Sequence, residues 1–277
     1  MPEAATAAGS VAEALGSATD ALRAAGADSP RLDAELFLAA ATGLERARLA
    51  AHPEAGVDPP DARAFGAMVR RRVRREPVAY ILGKKGFRRI ELRCDGRALI
   101  PRPETELLVE VAVDLQASTV LDVGTGSGAI ALAVADELPD AEVVAVDTSA
   151  AAIGLARENA AALGLGGRVR FELGALPAEP RHFDLVLANL PYVREGDWAT
   201  LQAEIRDYEP REALVSGEDG LGAIRGLLGA RLDASAMALE VGEGQARGVE
   251  ELVAAAGFSE IEIRRDLAGI ERVVVGR

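Results

Sequence analysis

Val120-Leu121-Asp122-Val123 runs without a break into Gly124-Thr125-Gly126-Ser127-Gly128, and a helical pattern over 129–138 follows. An aliphatic strand that turns straight into a helix through three alternating glycines leaves the surrounding chain few architectures. The glycines let the backbone turn tightly and let a ligand approach without a Cβ clash, while the helix behind them offers free N–H groups. From about residue 104 onward strand-like and helix-like segments alternate, which marks a parallel sheet with crossover helices. Strands are expected over Thr119–Val123, Glu142–Asp147, 168–173, Phe183–Ala188 and 236–241, with a helix over 150–163 among the connections. The end of the chain differs. Segments 258–264 and 270–276 are joined only by Arg265-Asp266-Leu267-Ala268-Gly269, too short for a crossover helix, so this pair must run antiparallel.

Upstream of the sheet the pattern is helical and rich in Ala, Leu and Arg from Val11 to about Arg75, with breaks at Ser29-Pro30, Thr42-Gly43 and Pro59-Pro60. Residues 1–10 are small and polar and are expected to fray. The domains expected are a helical unit over 1–76, a β-hairpin linker over 77–103 and an α/β unit over 104–277. Hydrophobic content of 49% supports a sizeable core. The net charge of −13 is uneven, for 63–102 holds thirteen Lys and Arg against Glu76, Glu91 and Asp95. The run Arg70-Arg71-Arg72-Val73-Arg74-Arg75 reads either as a solvated helix face or as a docking patch for an acidic protein or RNA phosphates. The overall acidity argues against stable nucleic-acid binding. No basic n-region opens the chain, and the aliphatic run over 129–135 falls far short of the roughly 20 residues of a membrane span, so a cytoplasmic protein is expected. Cys94 alone cannot form an intramolecular disulfide, and with His52 and His182 it makes no metal centre.

The glycine spacing is G-x-G-x-G, with Ala129 where a dinucleotide fingerprint places its third glycine or an alanine. Asp147 closes the second strand, where a carboxylate can accept both hydroxyls of an adenosine ribose. Loop and acid together call for a nucleoside cofactor, either a nicotinamide or S-adenosylmethionine. The turn Asn189-Leu190-Pro191-Tyr192 after the fourth strand decides between them. A planar NH2 group is a poor nucleophile because its lone pair is delocalised. Asn189 Oδ1 and a carbonyl of the turn, that of Leu190, can accept its two N–H bonds, which orients the nitrogen and pushes electron density onto it. Pro191 stiffens the turn and Tyr192 supplies an aromatic wall. Hydride transfer needs no such turn. S-adenosylmethionine is therefore expected across Gly124, Thr125, Gly126, Ser127 and Gly128, with its ribose on Asp147 and its sulfonium facing Asn189.

Several further segments are distinctive: Arg75-Glu76-Pro77-Val78-Ala79-Tyr80-Ile81-Leu82-Gly83, Leu99-Ile100-Pro101-Arg102-Pro103-Glu104-Thr105-Glu106, Tyr208-Glu209-Pro210-Arg211-Glu212-Ala213-Leu214 and Asp266-Leu267-Ala268-Gly269-Ile270-Glu271-Arg272. With the glycine loop and Asn189–Tyr192 they make the chain resemble the release factor glutamine methyltransferases along effectively its whole length. The resemblance implies a Rossmann-like class I methyltransferase sheet with an antiparallel last strand, plus a small N-terminal helical domain that docks the release factor. It implies methyl transfer from S-adenosylmethionine to the glutamine of the Gly-Gly-Gln loop of peptide chain release factors. Two positions depart from the family pattern: Leu190 stands where the family has proline, and Gly174 where an acid near the adenine is common. Asn-Leu-Pro-Tyr is also what ribosomal RNA adenine dimethylases carry, so nucleic-acid adenine is the alternative substrate, with the base stacked on Tyr192. A cofactor-binding module that no longer catalyses is the third reading.

Overall fold

The computed structural model describes residues 9–230 and 232–277. Its chain divides into two compact units, one formed by the chain up to Gly83 together with Ala203–Tyr208, the other by Lys84–Gln202 and Glu209–Arg277. In the first unit the helices are α1 (Val11–Ala24), α2 (Pro30–Thr42), α3 (Arg46–Ala51), α4 (Pro59–Val73) and α5 (Val78–Leu82). Residues 1–8 lie outside the described residues, but Ser10 does not fray. Its Oγ accepts from Glu13 N at 3.2 Å while Glu13 Oε2 accepts from Ser10 N at 2.9 Å, a capping box that fixes the start of α1. Proline opens α2 and α4, where its missing N–H costs nothing. Leu15, Leu22, Phe37, Leu38, Leu49 and Phe65 form the core of the unit.

Two expectations change here. The hairpin expected from residue 77 begins only at Lys84, because Val78–Leu82 closes into a helix ended by Gly83 at φ +71. A short apolar run does not distinguish strand from helix by periodicity. The arginine run, in turn, is partly internal. Arg72 is buried between Asp33 and Glu204 at 2.8 and 2.7 Å, and Arg75 reaches Glu204 at 2.6 Å. Arg71 pairs with Glu76 at 2.5 Å. Arg70 and Arg74 are the exposed members.

The second unit opens with an antiparallel hairpin, β1 (Lys84–Phe87) and β2 (Ile90–Arg93). Then come α6 (Glu106–Leu115), β3 (Thr119–Val123), α7 (Ala129–Glu137), β4 (Glu142–Asp147), α8 (Ala150–Ala162), β5 (Val169–Leu173), β6 (Phe183–Ala188), β7 (Ala234–Glu240), β8 (Ile261–Arg265) and β9 (Glu271–Gly276). Helices Gly222–Gly229 and Ala246–Ala255 flank β7 in sequence. The seven strands from β3 form one sheet in the order β5-β4-β3-β6-β7-β9-β8, parallel except that β9 runs antiparallel to both neighbours. Successive side chains point to opposite faces. Val143, Leu185 and Ala238 enter one core with Leu108 and Leu132, and Val144, Val186 and Leu239 enter the other with Ile224 and Val249. Burial on both faces explains the near-continuous apolar runs of the parallel strands.

Candidate active site

Parallel register builds the site. Val123 of β3 lies opposite Val146 of β4 and Ala188 of β6, and Ala188 lies opposite Leu239 of β7. The next residue of each strand therefore emerges at the same level: Asp147, Gly124, Asn189 and Glu240 stand in a row at the carboxyl edge of the sheet. The row straddles the point where successive strands depart in opposite directions from β3, the place where open α/β sheets bind ligands.

The glycine loop is held from below. Gly124 N and Thr125 N donate to the Val146 carbonyl at 2.9 and 3.0 Å. Asp147 Oδ2 accepts from Gly126 N at 2.9 Å and Oδ1 from Ser149 N at 2.8 Å. An ionised carboxylate has about four acceptor positions, so Asp147 can brace the loop and still receive two hydroxyls. All three glycines have positive φ. A Cβ on Gly128 would fall 3.0 Å from Leu132 Cδ1 and 3.2 Å from Ala156 Cβ, whereas one on Gly126 would meet nothing nearer than Ala98 Cβ at 3.8 Å. Gly128 thus lets the helix pack, and Gly126 leaves the loop open to a ligand. Beneath the loop Asp122 is fully buried. Its Oδ2 accepts from Thr125 Oγ1 at 2.6 Å and Ala131 N at 3.2 Å. Burial pushes its carboxyl up to about 7, against those two hydrogen bonds and with the charge of Asp147 adding to the rise.

A cavity of about 520 Å³ covers this edge, within the range of small-molecule sites. Gly124, Thr125, Gly126, Ser127, Asp147, Asn189, Leu190 and Pro191 all line it, as do Arg97–Arg102 and 174–176. Gly128 and Tyr192 do not. The cavity has room over the loop, free acceptor positions on Asp147 and apolar Ala175 and Leu176 toward Gly174, which fits a nucleoside cofactor. Leu190 packs across Gly124, with its Cδ2 3.1 Å from where a Cβ would stand, and joins the second core. Asn189 Nδ2 donates to Thr105 Oγ1 at 3.0 Å. Gln245 holds the end of the turn, donating from Nε2 to the Tyr192 carbonyl at 3.0 Å and accepting from Gly242 N at 2.9 Å. Tyr192 faces Glu240, and burial together with that carboxylate pushes its phenol up to about 12.

Comparison with known proteins extends the geometry. A family model described as the PrmC N-terminal domain matches residues 13–83, and one described as the methyltransferase small domain matches 103–208. The chain is 40% identical over 276 residues to the release factor glutamine methyltransferase of Cereibacter sphaeroides, covering 96% of this chain and 98% of that one. It belongs to the release factor glutamine methyltransferase family. The protein of the same name from Bordetella pertussis is 44% identical over 259 residues, 89% of this chain and 94% of that one. Among solved structures, the hMettl16 catalytic domain in complex with the MAT2A 3'UTR hairpin 6 aligns with a TM-score of 0.55 at 12% identity, over 67% of this chain and 74% of that chain. That likeness concerns the fold alone.

Within this member of the family, sequence reasoning missed four supporting residues. Glu209 is buried and accepts from Ile100 N at 3.0 Å and from Arg102, fixing the segment that walls the cavity. Asn159 of α8 accepts from Arg93 N at 2.7 Å and donates to the Ser127 carbonyl at 2.9 Å. Gln245 clamps Tyr192, and Glu240 ends a strand that is apolar from Ala236 to Leu239. The signal for Glu240 was present: an acid directly after the apolar run Ala236-Met237-Ala238-Leu239, as Asp147 follows its own aliphatic strand. Among the described residues no group of three His, Cys, Asp or Glu is placed to hold a metal ion, and no helix is long and apolar enough to cross a membrane.

Proposed function

We infer that this chain transfers a methyl group from S-adenosylmethionine to the side-chain amide nitrogen of the glutamine in the Gly-Gly-Gln loop of peptide chain release factors. One observation carries the reading: in a member of this family, the glycine loop, Asp147 and Asn189 share one level and one cavity. When bound, S-adenosylmethionine supplies an electrophilic methyl group. Gly124–Gly128 give the backbone room for it and Asp147 accepts from its ribose. Asn189 Oδ1 and the Leu190 carbonyl accept the two amide protons of the glutamine, which holds the nitrogen in line and raises its electron density. Pro191 keeps the turn stiff. No side chain needs to act as base, because the methylated amide is acidic enough to give its surplus proton to water. The helical unit, which matches the PrmC N-terminal domain, is assigned to docking the release factor. A substrate used in translation termination puts the protein in the cytoplasm.

Mass spectrometry of a release factor incubated with this protein and S-adenosylmethionine tests the reading. One added methyl group is expected on the Gly-Gly-Gln glutamine and nowhere else. Replacing Asn189 by Ala should lower kcat by about 10²–10³ and leave cofactor affinity near normal, by analogy with the loss of a transition-state hydrogen bond. Transfer to adenine in ribosomal RNA with none to the release factor would overturn it.

A further inference from the structure

The amide of an asparagine has two faces that differ only in which end donates, and its terminal torsion is soft. Methylation as read above needs Asn189 turned one way, with Oδ1 toward the substrate. Something behind the residue has to impose that orientation. Thr105, buried at 4% exposure, is in place to do so: its Oγ1 accepts from Asn189 Nδ2 at 3.0 Å. A hydroxyl has one proton, and a threonine that accepts from Asn189 can send its own proton elsewhere. The carboxyl group of Glu240, close to both the Thr105 and Tyr192 hydroxyls, is placed to receive it.

Glu240 is 2% exposed, and its Oε2 has no hydrogen-bond partner. A buried carboxyl oxygen left without a donor is costly, so packing alone does not account for an acid here. Burial and the nearby charge of Glu104 push Glu240 up to about 7, while Thr105, Arg272 and Tyr192 act the other way. In either charge state it presents an oxygen that can accept from Thr105.

We propose that Glu240 and Thr105 are positioning residues for the transfer: Glu240 accepts from Thr105, Thr105 accepts from Asn189 Nδ2, and this one-way chain of donors leaves Asn189 Oδ1 free for the substrate amide. The proposal rests on the glutamine-methylation reading for its catalytic consequence, but the orientation of Asn189 can be observed without substrate. Thr105→Val keeps the shape and removes the acceptor. Thr105→Ser restores it. Glu240→Leu removes the end of the chain.

In the full-length protein, nitrogen-15 spectra of the Asn189 side-chain amide, assigned by its loss in Asn189→Ala, should show an exchange-protected pair in wild type and Thr105→Ser. That protection should disappear in Thr105→Val and weaken in Glu240→Leu. With release factor as substrate, Thr105→Val should lower kcat about tenfold without moving cofactor affinity, and in the Asn189→Ala background the same change should have almost no further effect, the non-additivity expected of groups acting through one another. Unchanged amide protection in Thr105→Val, additive losses with Asn189→Ala, or a Thr105→Ser enzyme as poor as Thr105→Val would each overturn the proposal. A wild-type protein that shows the protected amide yet methylates no release factor would instead overturn the substrate reading and leave the positioning chain standing.

Discussion

Asp147 holds the N–H groups of Gly126 and Ser149 as well as facing the cavity, so its removal loosens the loop in addition to taking away acceptors. Asp147→Ala should weaken S-adenosylmethionine binding in calorimetry by about 1.5–3 kcal/mol, the scale of hydrogen bonds to a charged group. Asp122 gives a pH dependence whose sign can be worked out. Its carboxyl lies near 7 in the native protein against an ordinary 3.8, so between those values the folded chain keeps a proton that the unfolded chain has lost. Stability contributed by that proton is complete at low pH and falls as pH rises toward 7, by roughly 1.4 kcal/mol per pH unit at most. Urea titrations should show Asp122→Asn gaining on wild type between pH 5 and pH 8, with the slope from Glu240 remaining. A variant whose difference from wild type does not change with pH would refute the assignment. The sequence made Asp147 and Asn189 legible because each follows an aliphatic strand. It could not show that Leu190, met as a missing proline, lays its side chain over Gly124.

Among the elements, the parallel strands were the easiest to read, since strands buried on both faces leave an unbroken aliphatic signature. Thr119–Val123, Glu142–Asp147 and Phe183–Ala188 occur as expected. Val78–Leu82 was misread because five apolar residues satisfy both periods, and tertiary packing of Ala79, Tyr80 and Ile81 decided for the helix. Arg72 of α4 was opaque for another reason: its partners are remote in sequence. Arg72 meets Asp33 of α2 and Glu204 of Ala203–Tyr208. Burial pushes Glu204 up, but Arg75 and Arg72 hold it below the usual carboxylate range on balance. Removing one member of such a buried set strands its partner. Glu204→Ala should destabilise the helical unit by about 3–5 kcal/mol, read as a shift of its denaturation midpoint. Arg23→Ala, whose ion pair with Asp20 is exposed, should cost at most about 1 kcal/mol.

At the scale of the molecule, the two units are not two stretches of sequence. Ala203–Tyr208 belongs with the helices, where Tyr208 also donates from its hydroxyl to the Arg74 carbonyl at 2.7 Å, although it follows β6 of the sheet in the chain. Nothing in the composition of Ala-Glu-Ile-Arg-Asp-Tyr announces this, because the deciding contacts are with residues more than a hundred positions away. Native-state hydrogen exchange should therefore find the amides of 203–208 opening together with α1, α2 and α4 at one free energy, distinct from that of β3 and β6. Exchange of 203–208 in step with the sheet would contradict the division. The same arrangement sets an order of events on the ribosome. A domain made first ordinarily folds first, but roughly 120 residues must be added after Gly83 before Glu204 is made, which takes about 6–25 s at typical elongation rates. During that interval, among the described residues, Arg72 has only Asp33 and Arg75 lacks its ion-pair partner Glu204, so the first unit to leave the ribosome is completed only after most of the sheet has been synthesised.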